Sequence, residues 1–319
     1  MSSLSKGANN LRDWFEVSST ELTELFSHTQ TLTEEAFNRQ ITIFHPGTEF
    51  PSISITGHHC KLNCQHCARH FLQAMHAITT PQNLIAFCEA LDHRGGVGCL
   101  ISGGCDDTGT VPLTPFLPAL AHIKRSSNLF LNVHTGFLTD SQADELSQTG
   151  IDCASVDVVG DDSTIQLVYG LQQRTTKDYF TTLTALRKHR ISTAPHICVG
   201  LRNGKLVGEF DALQLIKQTI EPRVIVIIAL MPTKGTPMSN SPPPHPYDIA
   251  RICAIARLLF PKTEIALGCM RPRGRIRHQT EQLAVQAGVT RLVQPTRATL
   301  QYLEKNDYTV IKHNACCVI

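Results

Sequence analysis

The sequence predicts an α/β fold, a (β/α)8 barrel of the TIM type, on two observations. Short apolar, β-branched runs alternate with longer segments of helical periodicity from about residue 52 to residue 305. Regular alternation of this kind is typical of parallel strands joined by right-handed helical crossovers. Eight such units over about 250 residues match the size of a closed barrel. An open doubly wound sheet is the alternative, but no G-x-G-x-x-G motif follows the first strand, which argues against a dinucleotide-binding sheet.

Three regions are expected along the chain. Residues 1–45 are predicted to form a helical extension, with helix starts at Ser19 to Glu21 and at Thr31 to Glu35. Residues 46–305 contain the barrel, and residues 306–319 form a cysteine-containing tail that closes its mouth. The barrel strands are predicted at 52–56, 98–102, 128–133, 153–159, 195–200, 223–230, 264–268 and 290–293, with helices at about 81–92, 114–124, 140–147, 177–189, 209–218, 246–259, 277–287 and 298–305.

Composition excludes several classes of protein. A formal net charge of +2 over 319 residues gives no electrostatic basis for binding nucleic acid or an acidic membrane surface. The longest apolar run, 224–231, is too short to span a bilayer, and the N-terminus has no apolar segment typical of a secretory signal. We therefore expect a cytoplasmic protein. In such a reducing compartment, its twelve cysteines indicate metal binding or redox chemistry rather than disulfides.

The most informative motif is a cysteine triplet directly after the first predicted strand. Cys60, Cys64 and Cys67 have the spacing C-x₃-C-x₂-C, which is short enough for one loop to wrap a metal cluster. Three thiolates bind three corners of a cubane and leave the fourth iron open, as a catalytic cluster requires. A structural zinc site, with a neighbouring histidine as fourth ligand, or a chance group of buried thiols are the alternatives.

The triplet resembles the motif of the radical S-adenosylmethionine (SAM) superfamily. The resemblance implies a [4Fe–4S] cluster whose open iron is chelated by SAM, and a 5′-deoxyadenosyl radical that abstracts hydrogen from an unactivated C–H bond. The residue before the third cysteine is often aromatic in this family, and here it is His66.

The end of the second predicted strand also fits the cofactor of this family. Ser102, Gly103 and Gly104 close the second predicted strand, where the family usually carries G-G-E for the methionine amino group. The third position is Cys105, so the acidic contact is missing unless Asp106 or Asp107 replaces it.

Asp157 and His196 lie on the fourth and fifth predicted strands. The resemblance implies that such residues contact the methionine or ribose end of the cofactor. The turn at Gly200 and Leu201 is similar to the adenine-contacting turn of the family. For His196, a hydrogen-bonded core histidine is an equal alternative.

A second group of cysteines lies at strand ends and in the tail. Cys105 and Cys269 end the second and seventh predicted strands, and Cys316 and Cys317 lie in the tail. Strand ends of a barrel face one mouth. These thiolates are therefore predicted to converge on an auxiliary iron–sulfur cluster, with free thiols or a tail disulfide as alternatives. The last four residues also match a prenylation box by pattern alone.

A finer resemblance concerns the lipoyl synthases made of two subunits. Five segments carry it: 102–106, 134–136, 169–170, 268–272 and 316–317. The resemblance to biotin synthase and to single-chain lipoyl synthase is more distant. This sequence lacks the N-terminal auxiliary-cluster cysteines of single-chain lipoyl synthase, because no cysteine precedes Cys60. The resemblance implies sulfur insertion at C6 or C8 of a protein-bound octanoyl chain, with the auxiliary cluster as sulfur donor. The implied partners are a sister radical SAM subunit, an octanoylated carrier protein or lipoyl domain, and a low-potential electron donor.

Two alternatives to sulfur insertion stay open. One is a single-cluster radical SAM enzyme that acts on a small molecule, similar to biotin synthase or methylornithine synthase. The other is a non-catalytic metal-binding module. Arg271 and Arg273, which follow Cys269, are candidates for binding an acidic carrier domain or a carboxylate, with a solvated loop as the equal alternative.

Overall fold

A computed structural model describes residues 19–319 of the chain. Strands and helices alternate through most of this range, and short 3₁₀ helices lie at His70–Ala74, Thr114–Phe116 and Gly274–Ile276. The strands are β1 (Gln40–Phe44), β2 (Ser52–Ser54), β3 (His76–Ala77), β4 (Gly98–Ser102), β5 (Phe130–His134), β6 (Cys153–Asp157), β7 (Thr193–Val199), β8 (Val224–Ala229), β9 (Glu264–Leu267), β10 (Arg291–Val293) and β11 (Thr309–His313). The helices are α1 (Ser19–Phe37), α2 (Pro81–His93), α3 (Leu117–Ser126), α4 (Asp140–Ser147), α5 (Asp162–Val168), α6 (Thr176–Lys188), α7 (Glu209–Thr219), α8 (Pro246–Leu259), α9 (Arg277–Gln286) and α10 (Arg297–Lys305).

All eleven strands of the described residues belong to one curled, parallel sheet. Their order is β11-β1-β10-β9-β8-β7-β6-β5-β4-β2-β3, so neighbours along most of the sheet are also neighbours in sequence. This confirms the predicted α/β fold of the TIM type. The hydrogen-bonded ring stays open, however, with β3 and β11 at its two edges.

The terminal regions depart from the prediction. A single helix, α1, runs through the second predicted helix start at Thr31, and β1 follows within the predicted helical extension. The expected tail begins as a strand, because β11 pairs in parallel with β1. Both ends of the described chain therefore build the sheet. The predicted extension before residue 19 lies outside the described residues.

The two faces of the sheet bury different sets of side chains. On β8, Ile225 and Ile227 pack in the large core between the sheet and the helices, whereas Val224 and Val226 belong to a smaller cluster on the concave face. This alternation follows from the two-residue period of a strand. Burial of a Val, Leu or Ile side chain contributes about 1.5–3 kcal/mol, so the large core dominates the stability. We call the concave space the lumen.

The last six residues run through the lumen. The ring of His313, at the end of β11, stacks on Phe44 with centroids 5.6 Å apart, at the carboxyl ends of the strands. The carbonyl of Ile319 then accepts a 2.7 Å hydrogen bond from Arg291, the first residue of β10. Six residues span at most about 20 Å, which is enough to pass along a five-residue strand of about 17 Å.

The tail therefore passes from the carboxyl ends to the amino ends of the strands, and it fills the lumen rather than covering its mouth. Cys317 and Val318 are buried in the concave cluster, and Cys316 packs against it. A prenyl group on Cys316 does not fit this placement. None of the twelve cysteines forms a disulfide, which removes the tail disulfide from the alternatives.

Between residues 19 and 319, no helix combines the length and the apolar character needed to cross a lipid bilayer.

Candidate active site

The cysteine triplet lies on a loop at the carboxyl end of β2. Cys60, Cys64 and Cys67 are each half-buried. The amide nitrogens of Cys67 and Ala68 donate to the carbonyl oxygen of Cys64 at 3.1 and 2.8 Å, and Ala68 and Arg69 take positive φ angles of 43° and 65°. The backbone thus closes a tight turn from Cys64 to Cys67 and passes through the left-handed region directly after it.

Neighbouring segments fix the position of this loop. The backbone nitrogen of Gln65 donates to the Val168 carbonyl at 2.8 Å, and its side-chain nitrogen donates to the Leu167 carbonyl at 2.7 Å. The Cys64 thiol donates to the Tyr169 carbonyl at 3.9 Å. The end of α5 therefore supports the middle of the triplet.

The thiols of the triplet interact with one another. Burial, with the neighbouring Cys67 and Cys60, raises the pKa of Cys64 to about 12. Burial also raises the pKa of Cys67. In the metal-free protein Cys64 and Cys67 hold their protons at neutral pH, and metal binding must release them.

The donor set is three thiols on one loop, which suits three corners of a cubane cluster. In the described part of the chain, no three His, Cys, Asp or Glu side chains are arranged to hold one metal ion together. A cubane needs thiolates on separate corners instead. Next to the thiols, Nδ1 of His66 is buried without a hydrogen-bond partner among the described residues, and its ring meets Tyr169 edge-on at 5.2 Å. This polar atom is free for a ligand bound beside the triplet.

Close backbone packing explains why the second residue of the glycine pair after β4, Gly104, has no side chain. A Cβ atom on Gly104 would lie 2.0 Å from the carbonyl oxygen of His59 and 2.5 Å from Cα of Cys60. The amide of Gly104 also donates to Oγ1 of Thr56 at 2.7 Å. The glycines were predicted to let the backbone approach a cofactor. In the structure, Gly104 also lets the backbone approach the cysteine loop. Ser102 is buried, and Gly103 packs against Thr56.

Asp157 lies at the centre of the polar groups in the lumen. It ends β6, is exposed to solvent, and is opposite His196 in the register with β7. The ring of His196 meets that of His134, from the end of β5, edge-on at 5.5 Å. Burial lowers the pKa of His134 to about 4, against the opposing effect of Asp157, and burial lowers the pKa of His196 as well. Both imidazoles are therefore neutral hydrogen-bonding groups at pH 7.

His134 was not among the predicted cofactor contacts. Its position as the last residue of a strand, on the same face as Asn132, was the signal available in the sequence. His196 Nδ1 lies 3.0 Å from the Ala194 carbonyl, which orients its ring with a local hydrogen bond.

Cys105 lies beside the triplet. Its carbonyl oxygen accepts from the Lys61 amide at 2.8 Å. Burial raises the pKa of its thiol, and Cys60 and Cys64 are the next causes. Oδ1 of Asp106 accepts hydrogen bonds from the backbone nitrogens of Thr108 and Thr110 at 2.9 and 3.0 Å, which fixes this carboxylate in the turn after Cys105.

The other predicted auxiliary ligands form a separate group. Cys269 follows β9 and is accessible to solvent. Desolvation by the surrounding protein raises the pKa of its thiol, and Cys316 also raises this pKa. Burial raises the pKa of Cys153, at the amino end of β6, to about 12, and Cys316 also contributes to this increase. A hydrogen bond with Cys317 lowers the pKa of Cys316. The structure thus brings Cys269, Cys316 and Cys317 together in the lumen and places Cys105 with the triplet.

Arg271 is a structural residue and not a surface anchor for a carrier. Its side chain is 1% exposed, and Nη2 lies 2.6 Å from the carboxylate of Glu281, which is 0% exposed. Nη2 also donates to the Val293 carbonyl at 2.7 Å. Arg273 is exposed. The buried ion pair ties the loop after β9 to α9 and β10.

Leu201, in the turn that follows β7, lines a small cavity. Gly200 has a φ of 83° and packs against Pro244, and the cavity is also bounded by Val158, Cys198 and Gly208. The carboxylate of Glu209 accepts from the Gly200 and Val207 amides at 2.8 Å each, which fixes the turn. The cavity lies at the carboxyl ends of β6 and β7, as expected for a ligand of a parallel sheet.

Comparisons with known families agree with this geometry. Residues 54–204 match the family model described as "Radical SAM superfamily", and residues 227–310 match "Biotin and Thiamin Synthesis associated domain". Over the first of these ranges the chain is similar to the radical SAM superfamily, and within that superfamily it is similar to biotin synthase. The superfamily implies a [4Fe–4S] cluster and SAM.

Two curated relatives illustrate the likeness. The biotin synthase of Synechococcus elongatus is 31% identical over 145 residues, or 44% of this chain and 43% of that protein. The biotin synthase of Methylobacterium nodulans is 31% identical over 142 residues, or 44% and 41%. The matched part is thus about two fifths of the length of these relatives.

Solved structures share the fold at low sequence identity. Methylornithine synthase has a TM-score of 0.66 at 15% identity, covering 95% of this chain and 93% of that one. HydG, a maturase of the [FeFe]-hydrogenase, has a TM-score of 0.70 at 16% identity, covering 96% and 73%. These likenesses concern the fold alone.

Proposed function

We propose that the chain is a radical SAM enzyme that inserts sulfur into an unactivated C–H bond. The observation that carries this proposal is the presence of two sets of thiols at one lumen. The first is the triplet Cys60, Cys64 and Cys67 at the carboxyl end of β2, and the second is Cys269, after the carboxyl end of β9, with the tail cysteines. The similarity to biotin synthases supports sulfur insertion as the reaction class.

The chain's own residues have distinct tasks in this proposal. The triplet holds the catalytic cluster, and Asp157, His134 and His196 provide the polar wall against which SAM is oriented. When bound, the cluster and SAM supply a 5′-deoxyadenosyl radical. The tail fills the inner part of the lumen and excludes water, which protects a reactive radical from side reactions.

We propose an auxiliary [4Fe–4S] cluster on Cys269, Cys316 and Cys317 as the sulfur source. Support comes from the position of Cys316 and Cys317 on the concave side, where both interact electrostatically with Cys269 after β9. Thiolates are the usual protein ligands of such clusters. Because two of the three ligands lie on the tail, the tail positions the cluster as well as filling the space.

For the substrate, we propose a protein-bound octanoyl chain that is sulfurated at C6 or C8, as in a component of a two-subunit lipoyl synthase. The partners are then a sister radical SAM subunit, an octanoylated carrier protein or lipoyl domain, and a low-potential electron donor. Cytoplasmic location fits twelve free thiols. The second candidate is sulfur insertion into a small molecule, which the likeness to biotin synthases favours.

Iron content tests the two clusters separately. After anaerobic reconstitution we expect about eight irons per chain, four for each cluster. Replacing Cys316 and Cys317 with alanine should leave about four irons and preserve SAM cleavage to 5′-deoxyadenosine. Replacing Cys64 with alanine should abolish that cleavage. Cys253→Ala, in the helical core on α8, is the matched control and should keep both.

Substrate class is tested with an octanoylated carrier peptide and with small-molecule acceptors, read by mass spectrometry with and without a sister subunit. A mass gain of sulfur on the peptide supports the lipoyl assignment. Sulfur gain on a small molecule alone supports the second candidate. Wild-type protein that retains four irons after reconstitution and forms no sulfurated product contradicts the auxiliary cluster.

A further inference from the structure

Cys105 is a fourth cysteine locked to the triplet loop. β4 pairs directly with β2, so the loops that follow these strands lie side by side. The Lys61 amide donates to the Cys105 carbonyl at 2.8 Å, and Gly104 leaves no space between its own backbone and Cys60. The backbone of Cys105 is therefore fixed by a hydrogen bond to Lys61, the residue that follows the first cysteine of the triplet.

The side chain of Cys105 is half-buried beside this loop. Burial raises the pKa of its thiol, and Cys60 and Cys64 are the next causes. A soft sulfur ligand is thus held next to the three thiols that leave one iron of a cubane without a protein ligand.

We propose that Cys105 ligates this fourth iron while SAM is absent, and that SAM displaces it on binding. The inference rests on the proposed catalytic cluster. When the Fe–S bond to Cys105 forms, the thiol loses its proton to solvent. When the amino nitrogen and carboxylate oxygen of SAM bind the iron, that bond breaks and the thiolate recovers a proton. No electron is transferred in either direction.

This exchange protects the resting cluster. An iron held only by sulfides and solvent is the first to be lost on oxidation, which converts a [4Fe–4S] cluster into a [3Fe–4S] cluster. A fourth thiolate closes that corner. SAM then takes over the protection by chelation, so Cys105 matters only before the cofactor binds.

The test uses the full-length, anaerobically reconstituted protein and a brief, limited exposure to ferricyanide. The readout is the yield of [3Fe–4S] cluster by electron paramagnetic resonance, with and without SAM. The variants are Cys105→Ala and the nearly isosteric Cys105→Ser, which guards against misfolding, and Cys253→Ala is the control.

Without SAM, we expect several-fold more [3Fe–4S] cluster in both Cys105 variants than in the wild type and the control. With SAM, all four proteins should give the same low yield. Equal yields without SAM, together with protection by SAM, overturn the role of Cys105 and leave the proposed function intact. If SAM protects none of the proteins, and replacing Cys64 does not lower the iron content, the catalytic cluster itself is absent and both proposals fail.

Discussion

The guanidinium of Arg223 donates a 2.7 Å hydrogen bond to the carbonyl oxygen of Val318, 95 residues away in sequence. Arg291 donates in the same way to the carbonyls of Cys317 and Ile319, at 2.5 and 2.7 Å, and also pairs with Glu264. Each bond to a charged donor contributes about 1.5–3 kcal/mol. These contacts at the amino ends of β8 and β10 hold the tail inside the barrel and so position Cys316 and Cys317.

The tail should contribute measurably to folding. Val318 is 0% exposed, and Val318→Ala removes two methyl groups from the concave cluster. We expect the free energy of unfolding to fall by about 2 kcal/mol, measured by urea denaturation of the metal-free chain. Val207 is 41% exposed, and Val207→Ala should change the stability by less than about 0.5 kcal/mol. Equal effects of the two changes would show that the tail is not packed inside.

Breaking the buried ion pair should be more costly than breaking a surface pair. Arg271→Met leaves the Glu281 carboxylate buried beside a neutral side chain, with only the partly exposed Arg277 as a charged partner. We expect a loss of about 3–5 kcal/mol. Lys188 pairs with Asp140 on the surface, where the side chains are 61% and 56% exposed.

Lys188→Met is therefore the matched control, with an expected loss below about 1 kcal/mol. Urea denaturation checks both variants. A loss below about 1 kcal/mol for Arg271→Met would contradict the structural role of the pair and return Arg271 to the candidates for ligand binding.

The triplet loop should tolerate no side chain at position 104. Gly104→Ala places a methyl group against the backbone of His59 and Cys60, so the loop must shift away from β4. We expect loss of most of the iron at the catalytic site after reconstitution, read by iron content and the charge-transfer absorption of the cluster. Gly47→Ala has no neighbour closer than 4.0 Å and should retain full iron content. A normal cluster in Gly104→Ala would refute the close packing.

Stability of the metal-free chain should decrease as the pH falls from about 6.5 to about 4. The folded state lowers the pKa of His134 from 6.5 to about 4, so between these values the unfolded chain binds a proton that the folded chain does not. Unfolding then takes up this proton, and stability rises with pH across that window by up to about 1.4 kcal/mol per pH unit for this residue.

His134→Gln should reduce that slope, as measured by urea denaturation at several pH values between 4 and 7. Below about pH 4 this histidine adds no further dependence, since both states are protonated there. A slope unchanged by the substitution would mean that the imidazole is not desolvated in the folded chain.

Much of this architecture follows from local patterns. Helix α4 begins directly after the capping residue Thr139, which accepts from the Gln142 amide and whose own amide donates to the Gln142 side chain. The sheet follows from apolar runs such as Val224–Ala229, because a strand covered on both faces needs no polar alternation. The triplet was visible as spacing alone, because one short loop carries all three thiols.

Residues far apart in the sequence were harder to place. Four of the nine cysteines outside the triplet were predicted to meet as one group, yet Cys105 lies with Cys60 while Cys269 lies with Cys316. Spacing carries no information on which strand neighbours which, and here β4 pairs with β2 and the tail enters the lumen. Arg271 likewise had the sequence context of an exposed loop, and only the fold buries it against Glu281.

The sequence by itself determined the repeated strand–helix unit, the parallel sheet and the loop that presents three thiols, since each depends on residues within about one unit of one another. Tertiary structure alone decided that β1 and β11 extend the sheet, that the tail runs inside it, and that the thiols divide into two sets. The physical reason is that long-range pairing is chosen by the burial of whole faces, and no short segment encodes that choice.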